Sequence, residues 1–129
     1  MARVRRGVTA EELREIVTGL PGVRLKDHGT WVGLGVGGKG FGYLSEDEES
    51  VLLKAHLDER EALVAQDPDT FEESFTAGQF GWVRIRLATV ERDELVELVT
   101  EAWCQTAPRR LVNEHAEALA LPADSVPRD

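Results

Sequence analysis

Between Gly81 and Trp103 the hydrophobic period of the sequence changes once, and that change restricts the fold more than any other feature. Val83, Ile85 and Leu87 alternate with Trp82, Arg84 and Arg86, the period of a half-buried strand. After the link Ala88-Thr89-Val90, Leu95, Leu98, Val99, Ala102 and Trp103 recur at helical spacing, the stripe of an amphipathic helix. A strand with one apolar face and a helix with one apolar stripe each need a cover. They supply it to each other in a two-layer arrangement.

The rest of the chain supplies more of both layers. Thr9 and Glu12 have the spacing of a capping box, and Leu13, Ile16, Val17 and Leu20 mark one face of a first helix at about 9–19, stopped by Gly19 and Pro21-Gly22. Val23-Arg24-Leu25-Lys26 alternates as a short strand. Trp31 to Val36 reads as a second strand, with Val32, Leu34 and Val36 inward and Trp31, Gly33 and Gly35 outward. Gly37-Gly38 suits a hairpin turn with positive φ, Phe41 to Leu44 returns, and Val51 to Lys54 makes a fourth strand. Asp58 and Glu61 suggest a second capping box, opening a helix that runs to about Gln66. Residues 70–81 carry Phe71, Phe75 and Phe80 but no clear period. Pro108 opens a last helix with Leu111, Val112, His115 and Leu119 on one side.

Short turns between the strands make the sheet largely antiparallel. The expected fold is α+β: a two-layer sandwich with helices on one face of the sheet and the other face open. Residues 1–120 form one domain in this reading. Residues 3–7 form a frayed basic arm, and 121–129, with two prolines, a disordered tail.

The totals narrow the environment. No apolar run is long enough for a membrane span, and the basic start is not followed by the apolar stretch of a secretory signal. One cysteine, Cys104, fits a reducing cytoplasm. The net charge is −9 but unevenly spread. Residues 1–40 hold seven Lys/Arg against four Asp/Glu, and residues 41–129 hold eight against twenty. Any anion-binding surface must therefore act locally against a negative whole-molecule field.

Alternation gathers such a surface on the open face: Trp31, Gly33 and Gly35 from one strand, Leu52 and Lys54 from another, and Trp82, Arg84 and Arg86 from the last. Cations there can pair with phosphate or carboxylate, and a tryptophan beside them can stack on a base. Long cationic side chains also shield bare sheet without binding anything, and the last helix could cover Trp82.

Leu20-Pro21-Gly22, the hairpin Val36-Gly37-Gly38-Lys39-Gly40-Phe41, Leu52-Leu53-Lys54, Trp82-Val83 and a helix ending before Ala107-Pro108-Arg109-Arg110 occur in an order and spacing that resemble the MmcQ/YjbR-like family over about residues 8–112. The resemblance implies a bacterial protein with a fold similar to CyaY and frataxin. It also implies DNA binding, since the family is described as carrying a double-wing motif proposed to bind DNA. Carried onto matching positions, it points to Lys54, Trp82 and Arg84, with Arg86 on the same face. Lys39 in the hairpin and Arg109 and Arg110 after the long helix stand where they could reach a phosphate backbone. Glu46 to Glu49 at the next turn would repel phosphate, so DNA binding through few contacts should be modest and salt-sensitive.

No other chemistry is implied. His28, His56 and His115 lie far apart with no paired ligand spacing, so no metal is expected, and nothing calls for a cofactor. The acids Glu11, Glu12 and Glu15 serve their helix N-terminus. Cys104 reads as a packed small side chain rather than a nucleophile. The glycines at 33–40 precede no helix that could hold a phosphate. The expectation is a non-enzymatic binding module for DNA; the alternative is a protein-interaction domain using the same Trp/Arg face.

Overall fold

Local hydrogen bonding starts the first helix where the sequence puts it. Thr9 Oγ1 accepts from the Glu12 amide at 3.0 Å, and Glu12 Oε1 accepts from the Thr9 amide at 2.9 Å. This closed box opens α1 (Ala10–Thr18), which buries Ala10, Leu13 and Val17. The computed structural model describes residues 7–45, 49–78 and 80–120, without the side chains of 75, 77 and 117–120. Residues 3–6 of the basic arm expected at 3–7, the acids Glu46, Asp47 and Glu48, and the tail expected at 121–129 lie outside the described residues, as do the side chains of Phe75 and Leu119. Gly7, the last residue of that arm, is not frayed: its amide donates to the Val90 carbonyl at 2.8 Å.

After α1 come β1 (Val23–Asp27), β2 (Trp31–Val36), β3 (Lys39–Ser45) and β4 (Ser50–His56). Then follow α2 (Leu57–Gln66), β5 (Phe71–Ala77), β6 (Phe80–Arg86), α3 (Arg92–Thr106) and α4 (Arg109–Ala120). The strands form an open six-stranded sheet, all antiparallel, in the order β1-β2-β3-β4-β6-β5. The β2–β3 turn is Gly37-Gly38, with φ of +62° and +82°, values that a side chain would strain.

Two expectations need correction. The Asp58–Glu61 box does not form: β4 runs directly into α2, the cap position falls on His56 without a side-chain bond, and Asp58 and Glu59 sit inside the first turn. There they face the positive end of the helix dipole instead. The stretch 70–81, without clear period in sequence, holds β5 and the start of β6, so a second strand follows α2. The alternation of β5 is hidden by a register shift between Glu73 and Thr76.

One face of the sheet carries the core. Leu34, Val36, Leu44, Val51, Leu53, Val83 and Ile85 are buried against Leu13 and Val17 of α1 and Leu95, Val99, Ala102 and Trp103 of α3. The Trp103 indole N–H donates to the Pro21 carbonyl at 3.0 Å, so the one polar atom of a fully buried side chain is satisfied. α2 covers the β6–β5 end of the same face: Leu63 joins the core, and the Arg60 guanidinium lies against Gly81. α4 docks on this side too, with Leu111 against Gly22, Pro108 against Gly37 and His115 edge-on to Trp103. The described helices thus leave the opposite face of the sheet bare.

Candidate nucleic-acid interface

Strand register decides what the bare face presents. One cross-strand row reads Lys26, Gly33, Tyr43, Leu52, Arg84 and Glu72 from β1 to β5. The next row sets Arg24 opposite Gly35 and Gly35 opposite Gly40. Glycine at 33, 35 and 40 leaves a trough between the cations of β1 and the tyrosine of β3. The trough has a volume of about 460 Å³, and Lys39 closes it at the hairpin end.

The glycines do specific steric work. A Cβ on Gly33 would stand 3.2 Å from the Trp31 indole, so its absence lets that ring come down onto the sheet. A Cβ on Gly35 would stand 3.1 Å from the Lys39 carbonyl oxygen, where β3 passes close beside a register shift.

Aromatic rings form a continuous chain along this face. His28 stacks on Trp31 with centroids 3.9 Å apart and planes 22° from parallel. Tyr43 meets Trp31 edge-on at 4.8 Å, and Trp82 tilts against Tyr43 at 5.4 Å. The first three rings border the trough. A turn in which Asp27 Oδ1 accepts from the Gly29 amide at 2.8 Å carries His28 back over Trp31.

Electrostatics divide the face in two. Arg24, Lys26 and Lys39 border the trough, and among the described residues no Asp or Glu lines it and these cations have no acidic partner. At the β4–β6–β5 end the cations are engaged. Arg84 is 3.4 Å from Glu72 and donates to Ser50 Oγ at 3.2 Å, while Arg86 donates to the Asp69 carbonyl at 3.0 Å. Glu49, Asp69 and Glu72 line that concavity with them.

The site residues expected from sequence therefore separate. Lys39 joins the trough, and Trp31 stands between it and a second groove of about 450 Å³ around Leu52 and Arg84. Lys54 lies across from Trp82, with its ammonium 4.5 Å from the Phe80 ring centroid. Trp82 is on the bare face as alternation requires, but it is only 8% exposed and offers little ring to a base. Tyr43 tilts against it across the sheet, and α4 docks on the other face. Arg109 and Arg110 begin α4 on the helix-covered side, where Arg109 lines a separate hollow with Cys104 and Asn113. Burial, and then Glu101, push the Cys104 thiol above its ordinary value, away from the thiolate a nucleophile needs.

Arg24, Lys26, His28 and Tyr43 were not among the expected site residues. The alternation of 23–26 already set Arg24 and Lys26 opposite Val23 and Leu25; the missing information was the register that places them across from glycines. Among the described residues no cluster of three or more His, Cys, Asp or Glu is placed to hold a metal, and no helix is long and apolar enough to cross a membrane.

Comparison with known proteins gives consistent results. The YjbR family model matches residues 18–105. Uncharacterized protein Rv2570 of Mycobacterium tuberculosis and Uncharacterized protein Mb2600 of Mycobacterium bovis are each 44% identical over 54 residues. Those matches span 40% of this chain and 40% of each relative's length. Among solved structures, protein DR2400 of Deinococcus radiodurans, described as carrying domain DUF419, aligns with a TM-score of 0.68 at 19% identity. The alignment covers 80% of this chain and 81% of that one. At that identity the likeness concerns the fold.

Proposed function

The chain belongs to the YjbR family, and on that footing we propose that it is a non-enzymatic module that binds DNA through the bare face of its sheet. The observation that carries the reading is the trough: three cations without acidic partners among the described residues, beside a ring cluster, in a chain of net charge −9. Local cations of this kind bind phosphate, and rings beside them bind bases. The reading moves the binding centre from Arg84 and Arg86, which already bond the Glu72 carboxylate and the Asp69 backbone carbonyl, to Arg24, Lys26 and Lys39.

Fluorescence anisotropy of labelled DNA at about 50 and about 200 mM salt tests it. Binding is expected at the lower salt and should fall steeply at the higher. Arg24→Ala with Lys26→Ala should weaken it more than Arg84→Ala with Arg86→Ala. No binding at the lower salt would sink the proposal.

A protein partner is the second reading. Trp31, Tyr43 and Arg84, of the residue types that dominate protein interfaces, meet around the groove at Leu52. A protein that ignores DNA yet self-associates, and loses that association in Trp31→Ala, would favour it.

A further inference from the structure

We infer that the trough between β1 and β3 takes one nucleotide of a single strand, its base held by the His28–Trp31–Tyr43 rings and its phosphates by Arg24, Lys26 and Lys39. The inference rests on the DNA-binding reading and sharpens it, because a duplex cannot use such a site.

The shape is the first reason. Duplex DNA offers stacked, paired bases and a continuous rim of phosphate, so a protein reads it with an element that protrudes into a groove. The β2–β3 turn, the natural protrusion here, is Gly37-Gly38 with its back against Pro108 of the α4 entry. It carries no side chain to read a base edge. The sheet beside it is concave, with a floor of Gly33, Gly35 and Gly40. A concave floor between rings and cations suits an unstacked base, the form in which single strands are recognised on open sheets.

Charge is the second reason. Among the described residues the trough collects three cations and no acid, whereas Arg84 and Arg86 share their concavity with Glu49, Asp69 and Glu72.

The rings are the third reason. The His28–Trp31 stack and the edge-on Tyr43 occupy this face without belonging to the core, and His28 is exposed. Aromatic residues clustered outside the core, over a floor cleared by glycine, form a platform for a planar ligand.

Anisotropy with three probes and one variant decides it: a labelled single strand, the same strand annealed to its complement, an abasic strand of equal length, and the single strand against Gly40→Val. A Cβ on Gly40 meets only the Tyr43 hydroxyl at 3.6 Å and the Leu34 carbonyl at 3.9 Å, so valine fits the strand while filling the trough and leaves every charge in place. The single strand should bind roughly tenfold tighter than the abasic strand, the scale of one stacked base. It should also bind tighter than the duplex, and Gly40→Val should cost a similar factor with an unchanged salt slope. Should Gly40→Val fail to melt as a folded protein, Trp31→Ala takes its place. For Arg24→Ala with Lys26→Ala the slope itself should shrink by about 1.4, at ~0.7 per phosphate contact on a single strand. Equal binding of duplex and single strand, or of abasic and normal strands, overturns the inference while leaving DNA binding by this face intact. No binding by any probe overturns both.

Discussion

Glu59 shows how one residue can sit against its surroundings without being part of a site. Burial, and then the nearby Glu101, raise its carboxyl above the usual range, and His56 pulls the other way. The folded state therefore holds that proton more tightly than the unfolded chain does. Stability contributed here declines as pH rises from the ordinary glutamate value through the raised one, and the full penalty applies above both. Glu59→Gln removes the penalty, while giving up part of the favourable interaction with the start of α2. A gain of less than about 1 kcal/mol is expected at pH 7, where a half-exposed group is well screened. The gain should vanish near about pH 4. Thermal melts at the two pH values check this, and a variant less stable than the wild type at pH 7 contradicts it. Trp82 illustrates the limit of reading at this scale. Alternation placed it on the correct face, but its exposure depends on Tyr43 two strands away in sheet order, and a single strand's period carries no such information.

At the scale of elements, β5 was the least legible segment because its bulge breaks alternation, the signal that identified β1, β2 and β6. The structure braces that bulge from the covered side. Arg60, 4% exposed, donates to the Ser74 carbonyl at 3.3 Å, to Thr76 Oγ1 at 3.1 Å and to Glu73 Oε2 at 3.2 Å. Gly81 makes room for it, since a Cβ there would fall 2.6 Å from the guanidinium. Gly81→Ala should therefore destabilise by about 1–3 kcal/mol, the scale of overpacking. Arg60→Ala should also cost about 1–3 kcal/mol through a deserted carbonyl. The double variant should cost less than the sum, because removing Arg60 removes the clash. Urea unfolding of the four proteins gives the cycle; strict additivity would mean that Arg60 and Gly81 do not press on each other. The elements with unbroken periods, α1, β2, β6 and α3, were legible to within a residue or two, because each buries one side only.

Across the whole molecule, the α+β architecture and its bare face could be read from the order of periods, whereas the centre of the candidate site could not. Arg84 and Arg86 are conspicuous in sequence because they follow Trp82 on its side of the strand, yet Arg84 is engaged by Glu72, which strand pairing brings alongside, and Arg86 by the Asp69 backbone carbonyl. Arg24 and Lys26 are inconspicuous, and pairing brings them glycines. The strand order has a further consequence for how the molecule assembles. β1 to β4 follow one another through short turns and β5 with β6 is a hairpin, so the sheet has one joint between segments distant in sequence, β4 against β6. Making it closes a loop over α2 and β5, and the entropy of that closure is lost before Leu53 meets Val83 and Val51 meets Ile85. Leu53→Ala and Val83→Ala are thus expected to slow refolding, whereas Val23→Ala at the outer strand should mainly speed unfolding. Stopped-flow chevrons separate the two, and a refolding rate untouched by Val83→Ala would contradict this order of events. If the seam closes at the rate-limiting step and β1 adds afterwards, the trough on β1 to β3 is completed late. The binding face is then finished only in a chain that has been made through β6.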